Sequence, residues 1–146
     1  MMRRRLLIAI AFVTATAACG DGGGPALVAD GEPRASYTIT VAADDKGTDP
    51  RTWTLECDPS GGDHPDAAAA CGVLAASDDP FAPVPSDMAC TQIYGGSGVA
   101  TVTGTRDGAA VDARFTRTDG CEISRWDALG AVLPGPVPGQ PTDQPL

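Results

Sequence analysis

The stretch VATVTGTRDGAAVDARF, residues 99–115, holds two strand-prone runs set back to back around Asp107-Gly108. Asp-Gly is a pair that tolerates the positive φ angles of a two-residue hairpin turn. In the returning run Val111, Ala113 and Phe115 fall on one face, the period of a half-buried strand. The stretch therefore predicts a β-hairpin, and the chain on either side is read against an antiparallel pair.

Toward the N-terminus the same period recurs. SYTITVAA, from Ser36, alternates with Tyr37, Ile39 and Val41 on one face, and RTWTLEC aligns Trp53, Leu55 and Cys57. The polar turn DDKGTDP between them makes these two runs a second antiparallel pair; the spacing of Asp44, Asp45 and Asp49 fits no calcium loop and reads as a solvated turn. In HPDAAAACGVLAAS the period lengthens to nearly four, so that Ala67, Ala70, Cys71 and Leu74 share a helical face. Pro65 suits a first helical position and Asp66 the positive end of the helix dipole. After the hairpin, TDGCEISRWDAL predicts a short helix capped by Asp119, with Ile123, Trp126 and Leu129 inward, then a last extended piece near Val132.

The ends of the chain have a different character. Residues 1–18 carry Arg3, Arg4 and Arg5, an apolar run from Leu6 to Val13 and then small residues, the plan of an export signal. That run is far shorter than the roughly 20 residues needed to cross a bilayer. Residues 19–35, rich in glycine and acid, read as a flexible linker, and residues 134–146, mostly proline, glycine and polar residues, as a disordered tail. One small domain remains, residues 36–133, in a protein expected outside the cell. Of the 10 Lys and Arg, three leave with the signal, so seven face 19 Asp and Glu and the net charge is −12. Nucleic acid and anionic membrane are disfavoured as partners at that charge.

A domain of this size gains from covalent staples. The chain has five cysteines. Cys57, Cys71, Cys90 and Cys121 lie in the domain, where four cysteines allow three pairings, and the residues alone do not choose among them. Cys19 stands apart. Thr16-Ala17-Ala18-Cys19 resembles a bacterial lipobox with Thr16 where leucine is usual, which makes Cys19 a lipidation candidate and a lipid there the only expected membrane attachment. The alternative is ordinary cleavage after Ala17, leaving a free thiol.

Between the first helix and the hairpin, SDDPFAPVPSDMACTQIYGG has no sustained period. Unstructured segments of this length inside a small domain usually have a job. Within it, Thr91-Gln92-Ile93-Tyr94 is extended by propensity, yet Gly95, Gly96 and the preceding prolines argue against an edge strand. Proteases bind substrates as extended strands through backbone hydrogen bonds and side-chain pockets. A bridge at Cys90 would hold such a segment ready and lower the ordering cost of binding.

An enzyme reading finds little to work with. The lone histidine, His64, sits beside Pro65 at a helix start and reads as a capping or surface imidazole; no serine occupies a nucleophile elbow, and the four domain cysteines lack zinc spacing. No metal and no cofactor is expected.

The cysteine order, the helix opening DHPDAAAAC, the segment MACTQIYGG and the ending GCEISRWDAL together resemble the subtilisin inhibitor-like family of secreted bacterial serine protease inhibitors. The resemblance implies an α+β fold: a five-stranded antiparallel sheet with two short helices and two disulfides, Cys57 to Cys71 and Cys90 to Cys121. It implies a protease-binding loop of Met88, Ala89, Cys90, Thr91, Gln92, Ile93, Tyr94 and Gly95, with Gln92 as the primary specificity residue and Gln92–Ile93 as the reactive bond. The family often carries Met, Lys or Arg at that position. The implied partner is a serine protease of subtilisin type, with a homodimer through the sheet as a further possibility. A non-inhibitory surface-binding or structural module on the same fold is the rival reading.

Overall fold

A computed structural model describes residues 31–134. The expected signal, Cys19, most of the linker and nearly all of the tail lie outside the described residues.

The hairpin forms as its sequence dictates. β4 (Val99–Arg106) and β5 (Ala109–Phe115) pair antiparallel from Arg106↔Ala109 to Ala100↔Phe115. Asp107 and Gly108 between them have φ of 49° and 81°, the left-handed conformation that an Asp-Gly turn supplies. The other two runs become β1 (Ala35–Ala42) and β2 (Arg51–Cys57), antiparallel with Tyr37 opposite Leu55 and Ile39 opposite Trp53. β1 begins and ends one residue earlier than the run SYTITVAA. Just before it, Arg34 donates its amide to the Asp58 carbonyl and pairs its guanidinium with Asp107 at 3.1 Å.

A fifth strand, β3 (Gly61–Gly62), was not foreseen as such. It adds two residues to the free edge of β2, and the sheet order is β3-β2-β1-β4-β5. The extended piece expected near Val132 is not extended. Gly130–Val132 is a turn of 3₁₀ helix that continues the second α-helix, because Leu129 and Val132 are both buried and only a helical advance brings both inward. The α+β architecture is thus a five-stranded antiparallel sheet, two α-helices and two disulfides.

The inward face of the sheet, from Tyr37, Ile39, Leu55, Val102, Ala113 and Phe115, packs against Ala70 and Leu74 of α1 (Ala67–Ala75) and Trp126 and Leu129 of α2 (Gly120–Leu129). Burial of such a face is the main favourable term for the fold. Pro65 is not the first residue of α1 but lies just outside it, and Asp66, placed at the positive end of the dipole as expected, is the N-cap, its carboxylate accepting from the Ala69 amide at 3.2 Å. Asp119 caps α2 as expected, accepting from the Cys121 and Glu122 amides at 2.9 and 3.0 Å. His64 is not at the surface. It is 6% exposed, its Nδ1 accepts from the Asp66 amide at 3.1 Å, and its Nε2 donates to the Val132 carbonyl at 3.3 Å. The imidazole joins the start of α1 to the 3₁₀ turn at the other end of the chain, a contact that spacing in sequence does not reveal.

The disulfides pair Cys57 with Cys71 and Cys90 with Cys121, closing separations of 14 and 31 residues. By loop entropy they contribute about 3 and about 3.7 kcal/mol.

Candidate functional site

Met88 to Gly96 has no regular secondary structure and stands off the sheet. Thr91, Gln92, Ile93 and Tyr94 are all exposed, Ile93 at 61% and Tyr94 at 66%, and Met88 is 53% exposed. Three large apolar side chains thus stand exposed within seven residues of one segment, where a protein surface usually carries few.

What holds this segment is concentrated on the residues from Arg117 to Cys121. Cys90 is bonded to Cys121. One residue on, the Thr91 carbonyl accepts from the Gly120 amide at 3.0 Å. The Gly95 amide donates to the Arg117 carbonyl at 2.7 Å, and the Arg117 Nε–H donates back to the Gly95 carbonyl at 3.2 Å. Between these anchors Gln92, Ile93 and Tyr94 form no hydrogen bond among the described residues. Their backbone groups are therefore open to solvent or to a partner chain, and the ends of the span are fixed.

Residues without a side chain sit where the loop packs closely on its support. A Cβ on Gly120 would lie 2.0 Å from the Thr91 Oγ1, and one on Gly95 would lie 2.9 Å from the Ile123 Cδ1. Ile123, half-buried, thus turns toward the loop and not into the central core. Arg117 is itself braced: its Nη1 donates to the Asp127 carboxylate at 2.9 Å and its guanidinium lies over the Trp126 ring at 5.7 Å. The approach to the loop is also tied to α2. Arg125 donates its Nε to the Ala82 carbonyl at 2.8 Å, forks onto the Glu122 carboxylate and stacks over Phe115 at 4.5 Å. The Met88 amide closes a turn on the Pro85 carbonyl at 3.0 Å.

Every residue assigned to the loop from the sequence is therefore placed on one exposed segment, with Ala89 exposed beside Cys90 and Gly95 half-buried at the far end. The sequence reading missed Arg117, Gly120, Ile123 and Asp127. Gly120 had a signal: with Cys90 joined to Cys121 and the two segments running in opposite directions, Thr91 falls beside Gly120. Arg117 had none, since an arginine after a strand reads as surface charge.

Among the described residues one group of metal-capable side chains comes together, Cys90, Asp119 and Cys121. Both sulfurs are already bonded to each other, and Asp119 is engaged in capping α2. No helix among the described residues is long and apolar enough to cross a membrane.

No curated protein matches the chain. Among solved structures, a chain from the complex of Streptomyces caespitosus sermetstatin with Bacillus licheniformis subtilisin is similar, with 26% sequence identity, coverage of 67% of this chain and 96% of that one, and a TM-score of 0.45. The family model described as subtilisin inhibitor-like matches residues 34–118, more than half of the sequence, and takes in all five strands of the sheet, α1 and the whole exposed segment. The chain belongs to the subtilisin inhibitor-like family.

Proposed function

We propose that this protein inhibits serine endopeptidases of the subtilisin type by presenting the Gln92–Ile93 bond as a substrate that is cut slowly and resealed. Family membership supports the class of activity. The observation that carries the choice of bond is the exposed three-residue span itself. Gln92, Ile93 and Tyr94 offer an unpaired backbone to an enzyme, while Cys90, Thr91 and Gly95 on either side are fixed to one supporting segment.

A protease adds such a segment to its own cleft as an extended strand. Because the span is already held open, little conformational freedom is lost on binding, and more of the contact energy is available as affinity. The enzyme's serine hydroxyl attacks the Gln92 carbonyl carbon, an ester forms, and the Ile93 amine leaves with the proton the hydroxyl gave up. In a free peptide that amine diffuses away. Here both new ends remain attached to residues 117–121 and to β4, so the amine stays beside the ester at high effective concentration and re-forms the amide faster than water cleaves the ester.

Gln92 suits a broad, mostly apolar primary pocket. Its side chain is long, flexible and neutral, whereas a trypsin-type pocket would be left with an unpaired buried carboxylate. The chain acts here as a binding protein and not as an enzyme: its one histidine is inside the fold with both ring nitrogens engaged. An extracellular site of action, a lipid at Cys19 and pairing of two copies through the outward sheet face, where Thr38, Thr54 and Thr103 stand, belong to the same proposal.

The test is a titration of purified protein against subtilisin, with the cleavage products identified by mass spectrometry. Stoichiometric loss of protease activity, with a single slow cut between Gln92 and Ile93, is expected. Unimpeded protease, or digestion of the chain at several bonds, would favour the non-inhibitory module.

A further inference from the structure

The two halves of the exposed loop are held by different chemistry. Cys90 and Thr91 lie on the side that becomes the acyl group, and their restraint is covalent, through Cys121, with the Gly120 hydrogen bond beside it. Ile93, Tyr94 and Gly95 lie on the side that becomes the free amine. No disulfide restrains that side among the described residues. It is held where Gly95 meets Arg117, by one bond from each residue's backbone or side chain to the other.

We propose that Arg117 is the positioning residue for resealing: its guanidinium holds the amine half of the cut loop in place so that Ile93 can return to the ester. This rests on the inhibitory reading of the Gln92–Ile93 bond. In the cut chain the amine half has lost its connection at Ile93, and beyond Gly95 its next fixed point is Ser97, whose Oγ donates to the Ala43 carbonyl at 2.8 Å just ahead of β4. The stretch from 93 to 96 would swing on that point unless Gly95 were retained. The Gly95 amide bond to the Arg117 carbonyl gives one restraint, and the Nε–H bond from Arg117 to the Gly95 carbonyl gives a second, so the peptide unit is fixed in direction as well as in place.

The arginine is placed to do this without moving. Its side chain is only 17% exposed, and the Asp127 carboxylate on α2 takes its Nη1 at 2.9 Å. The Trp126 ring lies under its guanidinium at 5.7 Å. A rigid fork with one nitrogen on α2 and another on the loop transmits the helix position to the amine half, a role that a flexible ammonium fills poorly. Resealing balances within the complex. The Ile93 nitrogen attacks the Gln92 ester carbonyl, the C–N bond forms, the ester C–O bond breaks, and the amine proton returns to the serine oxygen.

The experiment compares the parent with Arg117→Ala, which keeps the main-chain bond and removes only the side-chain one, and with Asp127→Asn, which keeps the arginine but removes its charged brace. Each protein is incubated with a catalytic amount of subtilisin, starting from intact and from fully cut chain, until the ratio of cut to intact no longer changes. Arg117→Ala is expected to shift that ratio toward the cut form by about tenfold, and Asp127→Asn by a smaller factor in the same direction. A residue that only stabilises the fold would weaken cut and intact chains alike and leave the ratio where it is, so thermal midpoints are recorded for both forms. An unchanged ratio in Arg117→Ala, in a parent that is reversibly cut at Gln92–Ile93, overturns the role of Arg117 and leaves the inhibitory reading intact. A parent that is not cut there, or is never resealed, overturns both. Should Arg117→Ala not fold, Asp127→Asn decides: no shift in its ratio counts against the proposal.

Discussion

The Thr91 carbonyl accepts a hydrogen bond from the Gly120 amide at 3.0 Å, one residue away from each end of the Cys90–Cys121 disulfide. A covalent and a polar cross-link thus lie side by side, and together they stop the chain immediately before Gln92 from rotating about either. Rigidity at this point separates a loop that is recognised from one that is recognised and then released.

Removing the covalent link should expose that difference. The double variant Cys90→Ala with Cys121→Ala keeps the sequence from Thr91 to Tyr94 but loses about 3.7 kcal/mol of loop-closure restraint. It is expected to be cut by subtilisin at the same bond and no longer resealed, so that inhibition becomes transient. Progress curves of protease activity check this: the parent holds activity down, the variant lets it recover. Equal inhibition by both would show that the disulfide does not hold the loop.

Substitution at Gln92 should redirect the protein. Gln92→Lys supplies the charge that a trypsin-type pocket pairs with and should improve trypsin inhibition at least about tenfold, which requires only about 1.4 kcal/mol. Gln92→Met should keep or improve subtilisin inhibition. Inhibition constants of the three proteins against both enzymes are the measurement, and constants that do not change across the series would place the primary specificity residue elsewhere.

Stability has a separate weak point in β4. Gly104 has φ of 149°, and a Cβ there would lie 2.0 Å from the Ser36 carbonyl oxygen on the neighbouring strand. Neither atom can yield, since both belong to paired backbone. Gly104→Ala is expected to cost about 2 kcal/mol or more, read as a lower urea midpoint with the loop sequence untouched.

Acid should loosen the contact between β2 and the end of β3 through Asp63. The Thr54 amide first, and then its hydroxyl at 2.9 Å, hold the Asp63 carboxyl below its ordinary value of 3.8. Because the folded value is the lower one, this group's contribution is complete above the ordinary value and disappears as pH falls through the folded one. Urea midpoints of the parent should therefore decline as pH is lowered from about 5 toward 2, and Asp63→Asn should decline less steeply over that window. Asp44, held low in the same way by Thr48, adds to the slope in the same direction. Identical slopes in parent and Asp63→Asn would show that the Thr54 contact does not govern acid stability.

Much of the fold was written in short-range pattern. Alternation in residues 36–43, 51–57 and 99–115, the Asp107-Gly108 turn and the change of period after His64 each depend on residues within one or two turns of each other. Local preferences act at that distance. The exposed segment was legible in the same way, from extended propensity bounded by prolines and glycines. Where the reading failed, distant backbone decided. β3 is a pair of glycines with no side chain to announce a strand, made one by hydrogen bonding to β2. The piece near Val132 became helical because α2 delivers it to the core in that form, and His64 went inside because Val132 and Asp66 both offered it partners there.

The sequence by itself determined the four longer strands, the two α-helices and that one segment would be left unpaired in the open; what that segment presents is an expectation from the family its cysteines and flanking motifs resemble. Only the tertiary structure decided how the segment is held. Arg117 and Gly95 are 22 residues apart and meet through carbonyls, an amide and one guanidinium nitrogen. Main-chain donors and acceptors are the same at every residue except the missing donor of proline, so no pattern of residue types marks which of them will find each other. That choice is made when α2 packs its Trp126 and Leu129 into the core and brings residues 117–121 up beneath the loop.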